Sequence, residues 1–155
     1  MMIHAWRLVR EARAGDAFTG EGARLFGGRW NPVGTSTTYT SATRSLAALE
    51  VLVHQAERIP AGRFLFFGIR FPKNLITTIS QKDLPANWRN FPPRKCTTEI
   101  GKAWIAAKKS PVLQVPGTLI PGEPNYLLNF DHPQAKELEI GEAEPFDFDP
   151  RLRRV

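Results

Sequence analysis

Gly27-Gly28-Arg29-Trp30-Asn31-Pro32-Val33-Gly34 opens the stretch on which the reading of this chain turns. Two glycines let the backbone take positive φ or approach another group closely, and Asn31-Pro32 with Gly34 is turn chemistry. The segment therefore reads as a tight, shaped loop that projects Arg29 and Trp30. A Ser/Thr-rich, strand-like run follows and ends at Tyr39. From Ser41 to about Ala56, the apolar residues Leu46, Leu49, Leu52 and Val53 recur at helical spacing, with Ser41 or Thr43 as the N-cap. At about 100° per residue, Glu50 falls on the shoulder of that stripe, beside Leu46 and His54. Two readings of Glu50 stand open. Either it is a flank residue facing water, or it is a partly desolvated acid whose partner is Arg29 or a cationic substrate.

Outward from this stretch, Ile3 to Val9 alternates apolar and polar residues and predicts a first strand; its Arg7 is either a surface charge or an inward-turned phosphate ligand. Residues 11–28 read as loop with one helical turn, anchored by Phe18, Leu25 and Phe26. Pro60-Ala61-Gly62 stops the Glu50 helix. Arg63 to Phe71 is dense in aromatic and β-branched residues and predicts a central strand. Leu75 to Ile79 is a shorter strand, and residues 84–93 are irregular. A helix is expected from about Glu99 to Lys109, capped by Thr97 or Thr98 and ended by Pro111. Strands follow at Val112 to Val115, Tyr126 to Asn129 and Leu138 to Ile140, with a Pro-rich loop from Pro116 to Asn125 and a helical turn after His132-Pro133. The last residues, 142–155, form a tail that packs in part. Strands outnumber helices without regular βαβ alternation, which predicts an α+β single domain spanning residues 1–155, with a mixed or antiparallel sheet and flanking helices.

At 155 residues the chain is long enough to bury roughly 68–70% of its unfolded surface in one core. One cysteine, Cys96, gives no disulfide framework, and no apolar run approaches a membrane span, so a cytoplasmic protein is expected. The histidines His4, His54 and His132 lie far apart with no second ligand at metal spacing; no metal is expected. The net charge of +6 suits nucleic acid, an acidic partner or a phosphate-bearing small molecule without choosing among them.

The motifs of dinucleotide folds, phosphate loops, α/β-hydrolases and zinc peptidases are absent. What remains is Arg29, Trp30, Tyr39 and Glu50 in the first third, and the loop Val115-Pro-Gly-Thr-Leu-Ile-Pro-Gly-Glu-Pro-Asn-Tyr-Leu-Leu-Asn129 with His132-Pro133 in the last. Taken together with Gly34 and Tyr39-Thr40-Ser41, and in this order, these residues resemble the RES domain family over most of the chain. That resemblance implies a fold like that of ADP-ribosyltransferases. It also implies a toxin of a bacterial type II toxin–antitoxin system that consumes NAD+ as substrate by hydrolysis or phosphorolysis, or that transfers ADP-ribose to a protein.

By the same resemblance, Arg29, Tyr39 and Glu50 correspond to the family's catalytic arginine, tyrosine and glutamate. The family's Val-Pro-Ser reads Val115-Pro116-Gly117 here; either Thr118 supplies the hydroxyl from a shifted position or that role is dispensable or lost. The binding residues expected for NAD+ are Arg29 and Arg7 for the pyrophosphate, Tyr39 and Trp30 as ring faces for the nicotinamide, Thr118 through its own hydroxyl and Asn125 for ligand hydroxyls. Apart from the resemblance, Tyr39 reads as core, Trp30 as packing and Arg29 as a surface ion pair. For Asn125 and Asn129, bonds that close their own turns are the other reading. The implied partner is a helix-turn-helix, Xre-like antitoxin, with DNA reached only through it, no membrane, and a homodimer within the complex as a further arrangement. Two readings of other kinds stay open: a small basic ribonuclease and a catalytically silent NAD+-binding module.

Overall fold

A computed structural model describes residues 1–55 and 62–152. The helix end expected at Ala56, the stop at Pro60-Ala61 and the terminal Arg153-Arg154 lie outside the described residues. In chain order the regular elements are β1 (Met2–Arg10), α1 (Glu21–Phe26), β2 (Thr38–Ser41), α2 (Arg44–His54), β3 (Phe64–Pro72), β4 (Ile76–Thr78), α3 (Lys95–Ala107), β5 (Val112–Pro116), β6 (Pro124–Leu128), β7 (Glu139–Ile140) and β8 (Glu144–Phe146). They form one mixed α/β domain.

The strands make a single sheet in the order β4-β5-β6-β2-β1-β3-β7, with β8 also on β3; only β4–β5 is parallel. Its spine is the β1–β3 pair, in register from Met2 opposite Pro72 to Arg10 opposite Phe64. Short β2 then bridges β1 to β6, with Ser41 opposite both Trp6 and Asn125 and Tyr39 opposite Leu127.

Side chains alternate across a strand, so this register assigns each residue to a face. One face carries Ala5, Ile69, Phe71, Val112, Tyr126 and Leu128 in a continuous cluster. The other carries two clusters. Leu8, Ala47, Phe64, Phe66 and Phe148 pack under α2, and Trp30, Trp88, Trp104, Leu113, Val115 and Leu127 pack under α3. Between these two clusters the sheet floor presents Tyr39, Ser41 and Asn125.

The expected class, α+β with a mixed sheet and flanking helices, is what the structure has, with informative local departures. α2 does start at Thr43, whose hydroxyl accepts from the Leu46 amide at 3.0 Å. Its buried side is Leu46 and Ala47, however, while Leu49 and Val53 are 38% and 55% exposed, because small Ala47 lets the helix settle directly on β1. Leu25 and Phe26 are exposed rather than anchoring, since α1 is held through its main chain: the Gly34 amide donates to Arg24 O and Asn31 Nδ2 to Ala23 O. Phe18 does pack, edge-on to Phe67 and Phe130. α3 begins at Lys95, four residues before the expected Glu99, and the hydroxyls of Thr97 and Thr98 turn back onto the carbonyls of Arg94 and Lys95 instead of capping. Asn129 leaves β6, its Oδ1 accepting from the Asp131 amide to close a turn. Near the C-terminus, β8 joins the sheet and Phe148 is buried against Phe64.

α3 meets the Arg29 loop at Gly101. A Cβ there would lie 1.6 Å from the Trp30 carbonyl oxygen, a contact no rotamer relieves. Gly101→Ala must therefore push helix and loop apart, at a cost of about 3 kcal/mol, the upper part of the overpacking range. Thermal unfolding should show a melting temperature lower by roughly 10 °C; an unchanged value would contradict the close packing.

Candidate functional site

The loop before β2 is built around one hydroxyl. Tyr39 Oη accepts from the Trp30 amide at 3.0 Å and donates to Asn31 Oδ1 at 2.6 Å. Asn31, 1% exposed, spends its amide nitrogen on the carbonyls of Ala23, Pro32 and Thr35. Burial pushes the Tyr39 phenol well above the usual tyrosine range, so it stays protonated and able to donate. The glycines have distinct tasks here. Gly27 and Gly34 take positive φ, of 69° and 96°, whereas a Cβ on Gly28 would come within 2.7 Å of Tyr39 Oη.

This knot directs Arg29 toward the irregular segment before α3. Its Nη1 donates to the carbonyls of Trp88 at 2.9 Å and Asn90 at 3.0 Å, tying the irregular segment before α3 to the loop. Partial burial lowers its pKa and the negative charge of Glu50 opposes that, placing the two in electrostatic range of one another. Among the described residues they form no ion pair, and Arg29 Nε and Nη2 have no acceptor. A guanidinium so placed has two donor nitrogens, Nε and Nη2, in hand for an anion.

Glu50, half-buried on α2, is met from the sheet floor: Asn125 Nδ2 donates to its Oε1 at 2.9 Å. The neighbouring 117–123 loop is fastened to the start of α2, where Thr43 Oγ1 donates to Glu123 Oε2 at 3.2 Å and the Ala42 amide to Pro124 O at 3.1 Å. Asn125 thus touches Glu50 directly, and Arg29 and Tyr39 lie in electrostatic range of it.

Three expected residues stand elsewhere or act otherwise. Arg7 is not brought to the cleft. It alternates with Trp6 and so lies on the opposite face, where its Nε and Nη1 donate to the carbonyls of Ala17 and Tyr39 and burial lowers its pKa to about 10. Trp30 offers no ring face, because the ring is 2% exposed and packs on Trp88 with centroids 5.9 Å apart. Thr118 is held through its main chain, its carbonyl accepting from Arg89 Nη2 at 2.5 Å. Gly117 explains its own departure from serine: a Cβ there would lie 2.3 Å from the Glu123 carbonyl oxygen, so the backbone fills the space a side chain would need.

Sequence reading passed over Asn31, Ser41, Gly101 and Glu123 as structural parts of this site. A glycine inside a helix costs about 1 kcal/mol against alanine, which is the signal that could have found Gly101. Glu123 carries none, because its partner Thr43 lies 80 residues away.

The fold is of the ADP-ribosyltransferase-like class. A chain of the M. tuberculosis MbcT–MbcA toxin–antitoxin complex superposes with a TM-score of 0.75 over 94% of this chain and 85% of that one, at 17% identity, a likeness of fold. The chain belongs to the RES domain family, which matches residues 4–149. It is similar to a Toxin Res of Yersinia enterocolitica, 37% identical over 99% of this chain and all of that protein. It is also similar to the Prs ADP-ribosylating toxin of Sphingobium sp., 32% identical over 99% of each, and to a Toxin Res of Photorhabdus laumondii, 37% identical over 95% of each.

Gly117→Ser, which would bring the sequence to the family's Val-Pro-Ser, should not repair the site. It should displace the Glu123 carbonyl at a cost of about 1–3 kcal/mol and lower the melting temperature. A variant at least as stable as the parent would show that the 117–123 loop has room.

Proposed function

We propose that this chain is the toxin of a type II toxin–antitoxin system and that its cleft consumes NAD+ by breaking the nicotinamide–ribose bond. Membership of the RES domain family and the toxin names of its relatives support the first part. The observation that carries the second is the placement of one carboxylate, Glu50, in electrostatic range of a half-buried arginine with two spare donors.

In NAD+ the nicotinamide is a cationic pyridinium. When its bond to C1′ breaks, the electron pair moves to the ring nitrogen and the group leaves neutral, so no general acid is required. The ribose is left as an oxocarbenium-like cation, which one carboxylate can stabilise. Glu50 takes that role. Arg29 holds the pyrophosphate through charge-assisted hydrogen bonds to Nε and Nη2, and the Tyr39 ring provides a flat wall for the nicotinamide. Water, phosphate or a protein nucleophile then bonds to C1′, losing its proton to solvent. Arg7 and Trp30 enter only indirectly, by bracing β2 and the loop.

ADP-ribosylation of a protein is the second reading, favoured by the name of the Sphingobium relative. The antitoxin partner is taken to be of helix-turn-helix type and to cover the cleft, in the cytoplasm. Among the described residues, no helix is long and apolar enough to cross a membrane.

Purified protein should release nicotinamide from NAD+, and Glu50→Ala should slow that release by on the order of 10²–10⁴. Measured free nicotinamide from the variant at the parent rate would overturn the role of Glu50. Incorporation of labelled ADP-ribose into a protein band would select the second reading.

A further inference from the structure

We propose that Asn125 is a positioning residue: it fixes the rotamer of Glu50 by binding Oε1 and so reserves Oε2 for the reacting carbon. The inference rests on the NAD+-consuming reading for its kinetic arm only.

The amide stands on a strand that is paired on both sides. Asn125 pairs with Ser41 on one side and Val115 on the other, so its backbone is held in the sheet. Its Nδ2 donates to Glu50 Oε1 at 2.9 Å, and among the described residues Glu50 has no other hydrogen-bond partner. The orientation of the amide is determined by chemistry, because the flipped form would set two acceptors against each other. That orientation leaves Asn125 Oδ1 buried without a donor.

An orphaned buried carbonyl destabilises the fold, and a leucine of similar shape would avoid that cost. The amide is therefore a poor choice for stability and a suitable one for holding a carboxylate. Glu50 needs holding. Its neighbours Leu49 and Val53 are exposed, and a glutamate with three free torsions beside solvent samples many rotamers. One hydrogen bond from a rigid strand selects the rotamer that stays in the cleft. With Oε1 engaged, the remaining oxygen is the one able to approach C1′.

Two variants test this, Asn125→Leu and Asn125→Asp, each through melting temperature, a crystal structure without substrate, and kcat and KM for NAD+. Asn125→Leu should melt at or above the parent temperature, its Glu50 should leave the cleft rotamer, and kcat should fall on the order of 10²-fold with KM near the parent value. Asn125→Asp keeps the shape but sets an acceptor against Glu50, so it should also displace Glu50 and lose kcat. A clear fall in the melting temperature of Asn125→Leu would make the amide a structural bond and overturn the proposal. So would a Glu50 that keeps its rotamer in either variant, whether or not NAD+ is the substrate. Parent protein inert toward NAD+ would instead overturn the function proposed above and leave the structural arms to decide this one.

Discussion

The hydroxyl of Tyr39 is the constraint on which the cleft depends. It is the one polar group that touches both the Trp30 amide and the Asn31 side chain. Asn31 in turn gathers the carbonyls of Ala23, Pro32 and Thr35. A buried loop must satisfy its backbone groups internally, and here a side chain from a sheet strand and an asparagine in the loop do what a hydrogen-bonded ladder does elsewhere. The absence of a Cβ at Gly28 lets the phenol in. Once the loop is pinned, Trp30 is carried into the core against Trp88 and Arg29 is left beside the segment before α3. The loop thus brings the cation to that segment, where its own bonds to the Trp88 and Asn90 carbonyls hold it.

The same economy shapes the opposite wall. The 117–123 loop has folded onto itself so closely that the Glu123 carbonyl occupies the space beside Gly117. That loop also meets the N-terminus of α2 through Thr43, which caps the helix and donates to Glu123. A tether at the helix start holds α2 to one end of β6, and the Asn125 amide holds the Glu50 side chain. Glu50 therefore does not depend on the helix alone for its placement. The backbone of a tight loop fills the space that a side chain at position 117 would need.

How much of this the sequence could show depended on how local the causes were. The long strands Met2–Arg10 and Phe64–Pro72 were legible because alternation and aromatic density are properties of a few consecutive residues. The Thr43 cap was legible for the same reason. Glu50, Arg29 and Tyr39 could be singled out as an order of motifs, and in the structure they lie in electrostatic range of one another. Arg7 and Trp30 were misplaced because a side chain's face depends on its neighbours in the sheet: Arg7 is on the far side by strand parity, and Trp30 is drawn inward by Trp88, 58 residues on. Leu25 and Phe26 looked like anchors only while α1 was assumed to be held by its side chains. Asn125 was selected as a hydroxyl ligand; its bond to Glu50, 75 residues away, was invisible to any local rule.

A crystal structure with an NAD+ analogue whose nicotinamide cannot leave tests the central claim most directly. The account predicts C1′ of the nicotinamide ribose against Glu50 Oε2, the pyrophosphate on Arg29 Nε and Nη2, and Asn125 still bonded to Glu50 Oε1. An analogue bound away from this cleft, or seated in it with its reacting carbon remote from Glu50, would contradict it.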